Sequence, residues 1–397
     1  MIVHITTDHP DAQDAGKSAV IRSLVALAGE FDHRVYSLNR IACAPARLLA
    51  RAAARPWRPD FPVKRVGCDA ALVTLTYEAP GRGVYHRSAL ESVADWIADD
   101  LARTGERPEL IVGHKLTMEG IVASRVAARF GIPFALSIQG NTDRRILAAR
   151  PDLAGQFRRI FHDAAVVFPF TPWALAAVEQ RLGKRTGSTL LLPCPTDQDA
   201  ILTPRIIGPK LISAFHLRHR KLKNADLLIA AAAKLQAQGE AFELAILGGG
   251  EAADVAALQQ AIDRAGAAAV TLAGPVAHAD MQARMNASAG YVMVSRRESF
   301  GLVFIEALLA GCPIVYPKDA AVDGYFDGCD FAIGVPQGDV EACADAMQRL
   351  VRDEARLKAS LADWLRTEAP RRFQRAAIAA QFTHGLRLAA QPPSPAH

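Results

Sequence analysis

An α/β protein built from two doubly wound, Rossmann-like parallel-sheet domains is the fold this sequence predicts, and three observations predict it. Short β-branched runs bounded by turn residues alternate with longer helical patterns, the alternation restarts after Pro209, and a proline-rich stretch separates the two series. The amino terminus, MIVHITTDH, reads as a first buried strand, and runs at 71–76, 109–113, 133–138 and 164–168 continue the series. Helical patterns at 88–103 and 119–130 lie among them, as a parallel sheet covered by helices requires. The second series has strands at 211–215, 242–247, 270–273, 291–294 and 314–316, with helices near 225–238, 254–265 and 278–286 and further helical patterns at 340–352 and 354–367. Four prolines interrupt residues 193–209, which predicts a linker where a cleft opens. The expected organisation is a first domain over 1–195, a linker over 196–209, a second domain over 210–370, a last helix over 371–390 and a disordered tail, QPPSPAH, over 391–397.

Composition narrows the function classes. A chain of 397 residues, half of them hydrophobic, is long enough for two separate cores and is not intrinsically disordered. The net charge of +5, from 46 basic and 41 acidic residues, is too mild and diffuse for nucleic-acid binding but suits anionic ligands or membranes. Six cysteines, at 43, 68, 194, 312, 329 and 343, show no C-x-x-C spacing, so neither a zinc site nor a disulfide framework is expected, and a reducing cytoplasm fits best. The first residues lack the basic and apolar regions of a signal peptide, and no window reaches the roughly 20 apolar residues of a membrane span. Any membrane contact is expected to be peripheral, on the inner face.

The most informative stretch is 297–316, RESFGLVFIEALLAGCPIVY, which places Glu298 and Glu306 around the start of one short helix. Ser299 reads as its N-cap, and Phe300, Gly301 and Leu302 supply the amides with which a helix start attracts phosphate. Gly311 and Pro313 end the helix before the next strand. A bare glutamate pair at this spacing also arises where the macrodipole favours an acidic first turn. Carboxylates repel phosphate, however, so two of them beside an anion site suit a ligand carrying hydroxyls as well, such as a nucleotide diphosphate sugar. The run Glu298-Ser299-Phe300-Gly301, then Glu306-Ala307 and Gly311-Cys312-Pro313, resembles the E-x7-E signature of retaining GT-B glycosyltransferases of the family 4 type, the glycosyl transferases group 1.

Other residues extend the resemblance. Arg218 and Lys223 follow the strand at 211–215 and precede the helical run KNADLLIAA, at the strand end where open α/β sheets bind ligands. They are similar to the family's Arg-x4-Lys pair, although Leu217 stands where the family has glycine; alone, the basic cluster 218–223 also reads as a solvated loop. ELAILGGGEAA gives G-x-G-x-x-A at Gly248, Gly250 and Ala253, but the following strand ends in Gly274-Pro275-Val276 without the acidic residue of a nicotinamide site. The resemblance implies that these glycines let a nucleotide approach and that Val276 meets the base through its main chain. In the first domain Gly16, inside DAQDAGKS, resembles the family's flexible glycine loop over the cleft; the GKS there is no P-loop, because the first glycine of that motif would fall on Asp11. His114 sits where the family often shows a histidine and reads equally as a structural residue, while Gln139-Gly140-Asn141-Thr142-Asp143 stands for a His-Gly-x-x-Asp turn. The last helix of GT-B proteins crosses back to the first domain, which the resemblance implies for 371–390.

The resemblance implies transfer of a sugar from a nucleotide diphosphate sugar, UDP or GDP first among the nucleotides, to a hydroxyl acceptor that is a glycan, a lipid-linked saccharide or a small molecule, with retention of configuration. Glu298, Arg218 and Lys223 are the expected catalytic residues; Phe300, Gly301, Leu302, Glu306, Gly248, Gly250 and Val276 bind the donor; Gly16, His114, Gln139 and Asn141 line the first domain's side. No cofactor and no metal are expected: Asp197-Gln198-Asp199 is formally D-x-D but lies in the proline-rich stretch. The family's Gly-Gly-x-x-Glu/Ala loop is replaced by Lys318-Asp319-Ala320-Ala321-Val322-Asp323-Gly324. That departure leaves open a sugar-nucleotide epimerase, a hydrolase or a silent sugar-nucleotide binder; a Rossmann oxidoreductase is more distant. Arg47, Arg51 and Arg55 recur every four residues beside Leu48, Leu49 and Trp57, a pattern for an anionic membrane or for a solvated surface helix. Nothing in the sequence sets the oligomeric state.

Overall fold

The computed structural model describes residues 1–55, 59–69 and 71–391, so Trp57 and tail residues 392–397 lie outside the described residues. The chain divides into two compact units. The first comprises Met1–Phe170, Ala174–Pro195 and the chain from Ile378 on; the second comprises Thr171–Trp173 and Thr196–Ala377.

The first unit holds an eight-stranded sheet of β1 (Ile2–Thr6), β2 (His33–Ala42), β3 (Val63–Cys68), β4 (Leu72–Ala79), β5 (Leu110–Gly113), β6 (Phe134–Ile138), β7 (Val166–Pro169) and β8 (Ser188–Thr189), in the order β3-β4-β2-β1-β5-β6-β7-β8. Only the β3–β4 pairing is antiparallel. β1, β5 and β7 are buried along their whole length, which is why they do not alternate with exposed polar residues, His4 and Thr6 of β1 being buried as well. The apolar runs do not predict β2, β3 or β8. β2, HRVYSLNRIA, leaves the core at its last residues, and β3 is an edge strand whose exposed Lys64 and Arg65 discourage further pairing.

The second unit holds β9 (Lys210–Ala214), β10 (Glu243–Leu247), β11 (Val270–Gly274), β12 (Gly290–Val292), β13 (Ile314–Pro317) and β14 (Ala332–Val335), all parallel, in the order β11-β10-β9-β12-β13-β14. The order reverses at β9–β12, and such a switch point leaves a crevice at the carboxyl ends of the strands. The glycine turn after β10 and the helix Leu302–Leu309 after β12 both stand on that side.

Two sequence expectations are corrected. The helix expected from Ser299 begins at Leu302: Gly301 occupies the N-cap position with φ of 74°, and no side chain caps it. A left-handed residue at that point turns the chain sharply, which leaves Ser299 outside the helix. The stretch 196–209 is no free linker but is tied along its length to the second unit. Leu202 N–H donates to Leu309 O at 2.8 Å, Asn286 Nδ2 to Thr203 O at 2.9 Å, and Glu354 accepts from the amides of Ile207 and Gly208 at 2.8 and 2.9 Å. Prolines broke the periodicity here, yet the backbone found its hydrogen bonds in the Leu309 carbonyl and in the side chains of Asn286 and Glu354. Asp199 accepts from Arg375 N–H at 2.8 Å and Asp197 pairs with the Arg375 guanidinium, so the D-x-D carboxylates anchor the start of the last helix, Arg375–Ala390.

Candidate functional site

Three strand ends of the second unit converge on the glycine turn. Phe215 N–H donates to Leu247 O at 3.0 Å, Leu217 N–H to Gly249 O at 2.8 Å and Gly248 N–H to Gly274 O at 2.8 Å. Gly248 has φ of 150°, and a Cβ there would lie 1.9 Å from Phe215 O; one at Gly250 would lie 2.8 Å from Leu217 Cβ. The turn thus needs glycine to let two backbones touch, whatever ligand it meets. Beside it lies a pocket of about 280 Å³, lined among others by Gly248, Gly249, Val276, Val303 and Glu306.

Glu306 reaches that pocket from the helix Leu302–Leu309. Its carboxylate is buried and accepts from Thr196 Oγ1 at 2.5 Å. Burial raises its pKa above the ordinary range, the Thr196 bond and the nearby His278 opposing. Thr196 is a partner the sequence did not announce, since a threonine between prolines carries no readable signal.

Glu298 lies before the helix, and its Oε2 is 2.5 Å from Lys223 Nζ, a half-buried pair bridging 75 residues of sequence. Arg218 sits on a single 3₁₀ turn, exposed, with its Nε–H donating to His219 Nε2 at 3.1 Å. Phe300 is buried, while Gly301 and Leu302 are partly open at the helix start. The structure therefore joins Lys223 to Glu298 and groups Glu306 with Gly248 and Val276, whereas no described bond links Arg218 to either carboxylate. The loop after β13 holds Asp319 and Ala321 at φ of 55° and 52°, a left-handed conformation that non-glycine residues rarely adopt. Ala321 N–H donates to Glu298 O at 3.2 Å and Ala321 O accepts from Trp173 Nε1 at 2.8 Å, so the loop supports Glu298 through its backbone.

In the first unit Gly16 is exposed, with its N–H on Asp14 Oδ1 at 2.9 Å. The loop is anchored by buried Asp11, which takes Lys17 Nζ at 2.7 Å, Ser37 Oγ at 2.5 Å and Asn39 Nδ2 at 2.8 Å. Burial alone would raise the Asp11 pKa, and these donors hold it far below the carboxylate range instead. Gln139 Nε2 donates to His114 O at 2.7 Å, and Asn141 is buried at the first turn of the helix Asn141–Ala149.

His114 is fully buried in a ladder of histidines: its Nε2 lies 3.0 Å from His4 Nδ1, its Nδ1 3.1 Å from Ser137 Oγ, and His4 Nε2 lies 3.0 Å from His33 Nδ1. Burial pushes His114 down to about 3 and His4 well below its ordinary value. Both stay neutral in the fold while the unfolded chain titrates near 6.5, so their effect vanishes above that pH and stability falls as pH drops below it. The expected slope approaches about 1.4 kcal/mol per pH unit per histidine. Urea denaturation at pH 7 and pH 5 should show a smaller acid loss in His114→Asn than in the unsubstituted chain; equal losses would contradict the burial argument.

The helix Pro45–Ala54 carries Arg47 and Arg51, with Arg55 at its C-cap; Glu78 accepts Arg47 at 3.2 Å and Arg51 at 2.8 Å, and Asp60 accepts Arg55 at 2.7 Å. Two carboxylates thus face three arginines, which leaves the stripe a net charge of +1. No helix of the described residues is long and apolar enough to cross a membrane.

Residues 208–353 match the family described as Glycosyl transferases group 1. That match covers most of the second unit and none of the first. A curated relative, the D-inositol 3-phosphate glycosyltransferase of Rhodococcus opacus (strain B4), is 32% identical over 192 residues, 47% of this chain; the match spans only 42% of that relative's length. Among solved structures, sucrose-phosphate synthase from Thermosynechococcus elongatus aligns with a TM-score of 0.67 at 19% identity over 97% of this chain and 98% of the other. Anabaena HepE in complex with UDP and glucose aligns at 0.62 with 17% identity over 97% and 99%. An α,α-trehalose-phosphate synthase from Burkholderia xenovorans, in complex with glucose-6-phosphate, aligns at 0.63 with 12% identity over 97% and 99%. At such identities these structures show a shared GT-B fold and nothing further.

Proposed function

We propose that this chain is a glycosyltransferase that moves a sugar from a nucleotide diphosphate sugar to a hydroxyl acceptor, with retention of configuration and without a metal. The observation that carries the reading is the helix Leu302–Leu309, which delivers Glu306 to the pocket at Gly248 and Val276 while its approach sets Glu298 on Lys223. The UDP and glucose bound by Anabaena HepE, which shares the fold, support a nucleotide-sugar donor here.

In the proposed mechanism the donor's diphosphate lies against the amides at Gly301 and Leu302, with Lys223 and Arg218 offsetting the negative charge that gathers as the glycosidic bond breaks. The acceptor oxygen bonds to the anomeric carbon on the face the diphosphate leaves, and its proton passes to the leaving oxygen. Glu298 positions the sugar and stabilises its growing positive charge. Glu306 takes the ribose hydroxyls, and Val276 meets the base.

Titration calorimetry with UDP, GDP and ADP tests the donor site: one of them is expected to bind, and Glu306→Ala to weaken it about tenfold or more, the order of one lost hydrogen bond to a charged group. Absence of binding by any of the three at millimolar concentration would overturn the reading. Donor consumed without an acceptor would mark a hydrolase instead.

A further inference from the structure

A second pocket, of about 440 Å³, lies wholly within the first unit at the carboxyl ends of β2 and β4, far in sequence from every donor residue above. Its lining includes Arg40, Arg145 and Arg150 and no carboxylate. Arg150 is engaged: its guanidinium pairs with Asp152 at 2.6 Å and donates to Gly83 O. Arg40 spends one N–H on Pro80 O at 2.8 Å, and among the described residues neither Arg40 nor Arg145 has a carboxylate partner. Burial lowers the pKa of His86, although the hydrogen bond from its Nε2–H to Thr117 O at 2.7 Å opposes that shift.

Apart from the arginines, His86 and the Tyr77 hydroxyl, the lining side chains are apolar. Buried Tyr77 and Leu90 form the floor with Met118 and Ile146, and Val84 on the lining is 49% exposed, an apolar residue that solvent reaches. Two exposed guanidiniums without a partner acid, side by side on one pocket, are free to take an anion. An apolar floor cannot satisfy a ring of sugar hydroxyls, whose burial without hydrogen bonds is costly, so the body attached to that anion must be apolar too. The volume falls within the range of about 300–1,000 Å³ usual for small-molecule sites.

We propose that this pocket binds an amphipathic phosphate, its phosphoryl oxygens held by Arg40 and Arg145 and its hydrocarbon body laid over Tyr77, Leu90, Met118 and Ile146. Identification of that ligand as the sugar acceptor rests on the transferase reading above; the binding site does not.

The test titrates the full chain calorimetrically with octyl phosphate, octyl glucoside and glucose 6-phosphate, the amphiphiles kept below their micellar concentrations. Octyl phosphate is expected to bind at least about tenfold more tightly than either of the others, and to weaken as salt rises. Arg145→Glu, at an exposed position that leaves the fold intact by circular dichroism, should weaken octyl phosphate by about tenfold or more and leave UDP affinity unchanged. Equal binding of octyl phosphate and octyl glucoside would show that the pocket reads no charge and overturn the proposal. Equal binding of glucose 6-phosphate would overturn its apolar half, and an unaffected Arg145→Glu its location. UDP titrated into the same samples separates the two readings: loss of UDP binding with octyl phosphate binding intact sinks only the transferase, and the reverse sinks only this site.

Discussion

Glu298→Gln is expected to lower kcat by about 10²–10³-fold while leaving the melting temperature and UDP affinity close to those of the unsubstituted chain. Glutamine keeps the shape of the side chain and can still accept from Lys223, so the half-buried contact at 2.5 Å survives without its charge. What is lost is the negative charge that would face the sugar as the donor bond breaks. The support of this segment by Ala321 runs through the Glu298 main-chain oxygen and is untouched by the substitution. A structural Glu298 gives the opposite pattern, a lowered melting temperature with kcat preserved. Steady-state kinetics together with thermal melts read both, and full activity in Glu298→Gln would refute the role assigned to this residue.

Gly248→Ala should be nearly as damaging, by a different route. The added Cβ would sit 1.9 Å from Phe215 O and 2.8 Å from Phe215 C, and both atoms are backbone, so no side chain can swing aside. The ends of β9 and β10 would have to part, at an expected cost of roughly 3 kcal/mol or more, and the pocket holding Glu306 and Val276 would deform with them. Gly249→Ala is the matched control: its Cβ would meet only Pro275 Cβ, at 3.7 Å, and should change stability by less than about 0.5 kcal/mol. Urea denaturation and UDP titration of the two variants should separate them clearly; if they behave alike, the close backbone approach does not control the turn.

The parts of this site that the sequence exposed are those where one residue type has few other uses. A glycine triplet after an apolar run, a lysine ahead of a helix and two glutamates flanking a helix start could be named before any coordinate was known, and the structure does bond Lys223 to Glu298. What stayed hidden depended on distant chain. Ser299 looked like a cap because serine caps helices, but a left-handed Gly301 moves the start to Leu302. Residues 196–209 looked like a hinge because prolines forbid regular structure, although Glu354, Asn286 and Leu309 supply partners that no local pattern announces. β2 was missed because its polar residues and exposed end break the apolar run, and His114 could not be told from a ligand-facing histidine until His4 and Ser137 were seen on either side of its ring. Charge spacing in the helix Pro45–Ala54 likewise does not reveal Glu78, which reaches Arg47 and Arg51 from β4.

Asp319 and Ala321 hold backbone angles that glycine would adopt without strain, and Trp173, a residue from the first half of the chain, keeps hold of that strained turn through Ala321 O. Pro172, beside it, lies against Gly324, where a Cβ would meet it at 2.7 Å. The second unit is consequently not a contiguous gene segment. A chimera or truncation cut at residue 195, where the sequence invites the cut, would take Thr171–Trp173 away with the first half and strip the turn behind Glu298 of its brace. Recombination between relatives would have to carry these three residues together with the second unit to keep that turn in place.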